Sequence, residues 1–251
     1  MTVTATDAAG NRDTASSMVE IDTFVNRLAS AAGQVEGDDI VNNAEASDGI
    51  TLNGVVEEGS TVMVTFEGTT RSATVDADGN WSVTFAANEI PHGEYTTTVQ
   101  INATDAAGNV ANITDTFLVD TVAPTAADIE NVITGDNNTE GFAMFTTPAG
   151  VDVTVAEFTN GSGVAATPVD IESYSFRGGR QLKHYFSDLD AAPDGSNLIV
   201  TTEDQAGNAN STLLVLDQDS TNLVDMTSAA IGEFNIGAID LEFAEASELT
   251  R

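Results

Sequence analysis

Cysteine is absent from this chain, and cations nearly so. Without cysteine no disulfide can staple a small domain, so stability must come from elsewhere. Only 7 Lys and Arg stand against 40 Asp and Glu, a net charge of −33. Phosphate binding needs a cationic footprint, so that balance argues against nucleic acid as a partner. Anionic membrane surfaces are disfavoured for the same reason. No apolar run approaches the length of a membrane-spanning helix, so direct membrane insertion is not expected. The opening Met1-Thr2-Val3-Thr4 has neither a cationic stretch nor an apolar core, so it does not read as a secretion signal. Only two histidines occur, His92 and His184, far apart in the chain. No nucleophile elbow, zinc-binding helix or phosphate-cradling loop is present. The chain does not read as an enzyme.

What is present is repetition. The phrase T-A-T-D-A-A-G-N at Thr4–Asn11 returns as N-A-T-D-A-A-G-N at Asn102–Asn109 and as T-T-E-D-Q-A-G-N at Thr201–Asn208. Its aspartates, Asp7, Asp105 and Asp204, stand 98 and then 99 residues apart. A second marker, an apolar run closed by an acid, recurs at Asp22, Asp120 and Asp217. A period near one hundred residues is too long for a helical solenoid and suits one β-sandwich per repeat. The expected organisation is a repeat end at 1–22, a full unit at 23–121, a divergent unit at 122–218 and the start of a further module at 219–251. The chain thus begins within a repeat.

Residue alternation supports an all-β fold. Val62, Val64 and Phe66 share one face, as do Trp81, Val83 and Phe85. Tyr95, Thr97, Val99, Ile101 and Ala103 form a long alternating strand that returns over Ile113–Val119 after the Asp105–Asn109 turn. A strand is also expected at Val3–Thr6 and another at Ser17–Ile21. In the second unit, strands are expected at Gly141–Phe145, Val151–Phe158, Asn197–Thr202 and Ser211–Leu216. A hairpin is expected over Ser173–Phe186, turning at Gly178-Gly179. The fold class is all-β: tandem immunoglobulin-like β-sandwich domains in an extended array. The short links, one stiffened by Pro124, suit neighbours that touch.

The acid excess has two readings: a solvating surface, or ligands for divalent cations. Calcium takes roughly six to eight oxygens from carboxylates, amides, carbonyls and water. One candidate site gathers Asp7, Asp22, Asp39 and Glu45. A second gathers Asp105, Asp120 and Asp136, and a third Asp204, Asp217 and Asp219. An Asp in D-x-x-G-N also forms an Asx-turn with no metal, Gly supplying positive φ. Asp76-Ala77-Asp78-Gly79-Asn80 resembles the start of a calcium loop but lacks its distal Glu, and reads as a hairpin turn. Arg177, Arg180 and Lys183 form the one basic patch, interleaved with Tyr174, Phe176, His184 and Tyr185. That hairpin either holds an acidic glycan or pairs with local acids such as Asp188 and Asp190. Trp81 is expected to anchor a core.

These phrases, with D-A-D-G-N-W-S-V at Asp76–Val83, G-D-D-I-V-N-N-A-E at Gly37–Glu45 and V-D-T-V-A-P at Val119–Pro124, resemble bacterial Ig-like repeats. Such repeats occur in giant type I-secreted surface adhesins of the RTX or BapA-like kind. The resemblance covers 23–121 most fully, and 122–218 with more divergence. It implies Ca2+ near domain junctions, a stiff extracellular stalk at the bacterial cell surface, and a role in adhesion or biofilm. Neighbouring repeats of the same chain are then its partners, and other modules meet host, glycan or abiotic surfaces. Two other readings remain open: a carbohydrate-binding module built on the 173–186 hairpin, and an accessory region of a secreted hydrolase.

Overall fold

The computed structural model describes residues 1–31, 35–133, 142–159, 167–169, 171–179, 181–187, 196–215, 223–227, 229–241 and 248–250, and the account below concerns these. By packing they fall into two compact units. The first comprises Met1–Asp39, Asp48–Pro91 and Thr96–Leu118; the second comprises Ile40–Ser47, His92–Tyr95 and Val119–Arg251.

The chain opens on a hairpin of Thr2–Thr6 against Arg12–Ser16, with Thr2 opposite Ser16 and Thr6 opposite Arg12. All its residues are exposed. The strand expected at Ser17–Ile21 is displaced to Arg12–Ser16. The Asp7–Asn11 turn sets the register, and pairing ends where the Ser17 amide meets the Met1 carbonyl at 2.9 Å.

Two sheets then face each other. One orders its strands Ala29–Ser30, Ile50–Val55, Asn80–Phe85 and Thr74–Val75. The other runs Ile40–Val41, Val110–Asp120, Glu94–Thr104, Thr61–Phe66 and Thr69–Ser72. Alternation decides the buried face, as the sequence predicts. Ile50, Leu52, Trp81, Val83 and Phe85 are buried from one sheet, and Val62, Val64, Phe66, Val99, Ile101 and Ala103 from the other. Phe66 joins the sheets, with its ring centroid 5.2 Å from Phe85 and 5.9 Å from Phe117. Burying one such ring stabilises by about 2–3 kcal/mol. Trp81 is 1% exposed, and its indole Nε1 donates to the Ala29 carbonyl at 3.1 Å. Its ring packs over Gly54, where a Cβ would lie 2.7 Å from the indole. Any larger residue there would push out the core anchor.

The second unit also has two antiparallel layers, with one parallel addition. Asp128–Ile133, Phe142–Pro148, Gln181–Ser187 and Glu172–Phe176 form one sheet in that order. The other orders Thr167–Val169, Asp152–Thr159, Ser196–Glu203, Ala209–Val215 and Ile236–Asp240. Ala127, Ile129, Phe145, Val155, Leu198, Val200 and Leu214 fill the space between them. The run Asn197-Leu198-Ile199-Val200 does not alternate, and the fold explains why. Ile199, Leu213 and Val215 are buried on the opposite face, under Ile231 with Met226, Phe234 and Ile236. Residues 219–251 were expected to open a new module. Among the described residues of this stretch, Ile236–Asp240 pairs in parallel with Ala209–Val215 and adds a strand to this sheet, while Leu223–Asp225 and Glu248–Thr250 pair in parallel with each other.

Candidate functional site

The repeated D-x-x-G-N phrase makes the same turn each time. The Asp7 carboxylate accepts from the Ala9 amide at 2.8 Å, the Asn11 amide at 2.9 Å and the Asn11 side chain at 2.7 Å. Asp105 accepts from the Asn109 amide and side chain, both at 2.8 Å. Asp204 accepts from Ala206 and Asn208 amides at 2.9 Å. In each turn the glycine has positive φ, at 90°, 92° and 85° for Gly10, Gly108 and Gly207. Asp76 builds an equivalent turn with Asp78 and Asn80 between the strands Thr74–Val75 and Asn80–Phe85. These bonds hold the Asp7 carboxyl below its ordinary value, the Asn11 side chain acting most strongly. For Asp105 burial pulls upward and is the largest influence. The Asn109 side chain and the turn amides of Asn109, Ala107 and Gly108 together outweigh it, so the group stays below its ordinary value of 3.8.

One of these turns meets other acids. Asp22, Glu57 and Asp105 each place a carboxylate oxygen within 4.8 Å of the other two. Asp22 is exposed, Glu57 half-buried and Asp105 buried. Glu57 also accepts from the Asn26 amide at 2.8 Å, so it holds the segment that follows Asp22. Like charges at such spacing repel by about 1 kcal/mol per pair in bulk water and by about 4 kcal/mol at an effective dielectric of 20. An all-oxygen set of three carboxylates suits a hard cation such as Ca2+ or Mg2+, with carbonyls or water completing the shell. Each carboxylate oxygen has two lone pairs, so the turn hydrogen bonds leave room for an ion.

This grouping differs from the sets expected from the sequence. Asp22 was placed with Asp7, Asp39 and Glu45; the structure puts it beside Asp105 and Glu57 instead. Asp7 serves its own turn. Asp39, at φ 66°, accepts from the Val35 amide at 2.9 Å. Glu45 accepts from the Asn42 amide at 2.9 Å while Asn42 accepts from Ala44 and Glu45, a reciprocal helix cap. Asp105 and Asp120 cannot share an ion. The strand Val110–Asp120 lies between them, and its 11 residues span roughly 35 Å at about 3.3 Å each. The Asp120 carboxylate accepts from the Val122 amide at 3.1 Å. Asp204 stays within its turn, while Asp136, Asp217 and Asp219 lie outside the described residues.

Glu57 has no counterpart at the repeat period. It sits two residues before Gly59, at φ 79°; two residues before the matching Gly150, at φ 88°, stands Pro148. An acid present in one repeat alone gives no periodic signal.

The basic hairpin forms as expected, with Glu172–Phe176 paired to Gln181–Ser187. Lys183 is 3.1 Å from Glu130, which also accepts from the Thr146 hydroxyl. Thr146 first, then Lys183, holds the Glu130 carboxyl below its ordinary value. Arg177 lies in the connecting turn, and Arg180 is outside the described residues. Among the described residues, no helix is long and apolar enough to cross a membrane.

Residues 25–121 match the family model of the bacterial Ig-like domain. The chain is similar to a solved structure of SGBP-B of the Bacteroides ovatus mixed-linkage glucan utilization locus, in complex with a mixed-linkage heptasaccharide. Identity is 11% and the TM-score 0.27, over 83% of this chain and 52% of that one. The chain therefore spans about half the length of that protein. It is also similar to a marsupial T cell receptor, at 7% identity and a TM-score of 0.28, over 77% of this chain and 98% of the other. No curated protein matches it.

Proposed function

We propose that this chain is a segment of the stalk of a bacterial cell-surface adhesin, working outside the cell as a mechanical spacer and not as a catalyst. Its Ig-like units project a binding module carried elsewhere in the polypeptide, in adhesion or biofilm. Calcium stiffens it. The observation that carries this reading is the convergence of Asp22, Glu57 and Asp105. Asp22 belongs to the segment leading into the sandwich, whereas Glu57 and Asp105 belong to turns of the sandwich itself. An ion held by all three cross-links that segment to the folded body and removes their mutual repulsion. The repeat period and the bacterial Ig-like match over 25–121 give the architecture such a stalk requires. For the glycan-binding alternative, one of the hairpin's three cations, Lys183, is already paired with Glu130.

The test is a thermal melt of the chain in millimolar calcium, in magnesium and in excess chelator, at constant ionic strength. With calcium at 100 times its Kd, linkage stabilises by about 2.7 kcal/mol. A calcium-specific rise in Tm that disappears in Glu57→Gln with Asp105→Asn supports the reading. Equal melts under all three conditions reject the calcium mechanism.

A further inference from the structure

The segment Thr121–Ala127 belongs to no strand, yet side chains hold the carbonyls of Pro124, Thr125 and Ala127 within it and of Asp120 just before it. Asn208 Nδ2 donates to the Asp120 carbonyl at 2.9 Å. Asn210 Nδ2 donates to Pro124 at 2.9 Å, Thr202 Oγ1 to Thr125 at 3.2 Å and Thr212 Oγ1 to Ala127 at 2.6 Å. Asn208, Asn210 and Thr212 recur at every second residue from the turn into the strand Ala209–Val215, so they point to one side. Thr202 is the register partner of Asn210 on the neighbouring strand. At the other end of the segment, Thr121 exchanges bonds with Gly93: its amide donates to the Gly93 carbonyl at 3.0 Å, and the Gly93 amide donates to its hydroxyl at 2.9 Å. Asn208 Oδ1 further accepts from the Asn43 amide at 2.8 Å. Thr121, Thr202, Asn208 and Thr212 are all buried, and every residue named lies within the second compact unit.

We infer that this ladder is a metal-independent clamp that keeps the segment between the two Ig-like repeats rigid. Its donors are neutral amides and hydroxyls, and its acceptors are backbone carbonyls. Two carboxylates flank the ladder, Asp120 accepting from the Val122 amide at 3.1 Å and Asp204 from Asn208 Nδ2 at 3.1 Å; the bonds to the carbonyls are themselves neutral and need no metal. The first repeat lacks the device. Counting from Asn109, the residues matching Asn210 and Thr212 are Ala111 and Ile113, which have no side-chain donor. A calcium-dependent contact at the start of one repeat and a calcium-indifferent one at the start of the next make a stalk that loosens at selected points when calcium falls. That role in a stalk rests on the function proposed above; the clamp itself does not.

The experiment is 15N relaxation on the full chain, reading order parameters for the amides of Thr121, Val122, Ala123, Thr125 and Ala126. Spectra are taken with calcium and with excess chelator. The wild type is expected to give rigid values near ~0.85 in both, and the Asn210→Ala, Thr212→Val double variant to fall below ~0.6. Slow exchange of the Ile199 amide reports that the double variant remains folded, and Thr212→Val alone, which keeps the side-chain shape, serves if it does not. Linker amides that stay rigid in the folded variants overturn the clamp. So does a wild-type linker released by chelator. A failed calcium-dependent Tm shift with an intact, variant-sensitive linker rejects the stalk's calcium mechanism and leaves the clamp standing.

Discussion

The chain approaches its two sandwiches through the same phrase and holds it by opposite chemistry. Ile21-Asp22-Thr23 leads to the first, Val119-Asp120-Thr121 to the second. At the first, three carboxylates converge and the contact is charged. At the second, Asp120 contributes its carbonyl to a neutral ladder and its carboxylate caps Val122. A few substitutions account for the difference. Glu57 in one repeat is replaced by Pro148 in the other, and Ala111 and Ile113 by Asn210 and Thr212. A shared backbone plan thus fixes where a junction lies, while a few side chains decide whether it gathers carboxylates or neutral donors.

The comparison can be broken most severely from the core. Phe66→Ala empties the contact between the two sheets and is expected to cost about 3–5 kcal/mol. The calcium response should vanish with it, because Glu57 and Asp105 hang on that sandwich; calorimetry with and without calcium checks this. Next comes the pair Glu57→Gln with Asp105→Asn. Calcium should raise the wild-type melt by a linkage of about 2.7 kcal/mol at 100 times Kd and leave the variant's melt unmoved. Equal calcium shifts in both would make the acids turn residues only.

Acid sharpens the contrast further. Asp105 has a folded-state value below its unfolded one, so its contribution is fully present above about pH 4. That contribution is lost as pH falls through the lowered folded value. Protonation also removes a ligand from the cation. The calcium-dependent part of the Tm should therefore disappear on acidification. Thr212→Val leaves the Ala127 carbonyl without its donor and is expected to cost about 1–2 kcal/mol, independent of calcium. The smallest effect is expected from Pro148→Glu, which returns the missing acid to the second repeat. Its Asp120 and Asp204 carboxylates are already engaged by amides, so a calcium-dependent gain should stay under about 1 kcal/mol by calorimetry. A larger gain would mean that one acid is all that separates the two junctions.

The N-terminal hairpin shows how far sequence reading reaches. Asp7 and Asp105 occupy the same phrase and make the same turn, because Asx bonding and a positive-φ glycine are local properties. Burial does not follow. Val3, Val19 and Ile21 correspond by the 98-residue step to Ile101, Phe117 and Val119. The first three are 54%, 63% and 81% exposed, whereas the last three are buried. Alternation named the apolar side in both places, but only the opposite sheet makes a side into a core.

The sequence by itself determined the all-β class, the repeat step, the turns and the inward faces of the first sandwich. Each follows from period two or from the φ preferences of a few residues, which act within a handful of positions. The tertiary structure decided which acids meet. Asp105 and Asp120 look like partners along the chain, yet an 11-residue strand holds them at opposite ends, and Asp105 finds Asp22 and Glu57 instead. It also decided that Ile236–Asp240 joins the second unit's sheet and that Asn208, Asn210 and Thr212 grip a linker more than 80 residues away in sequence. Such contacts depend on where whole strands end in space, and no local spacing records that.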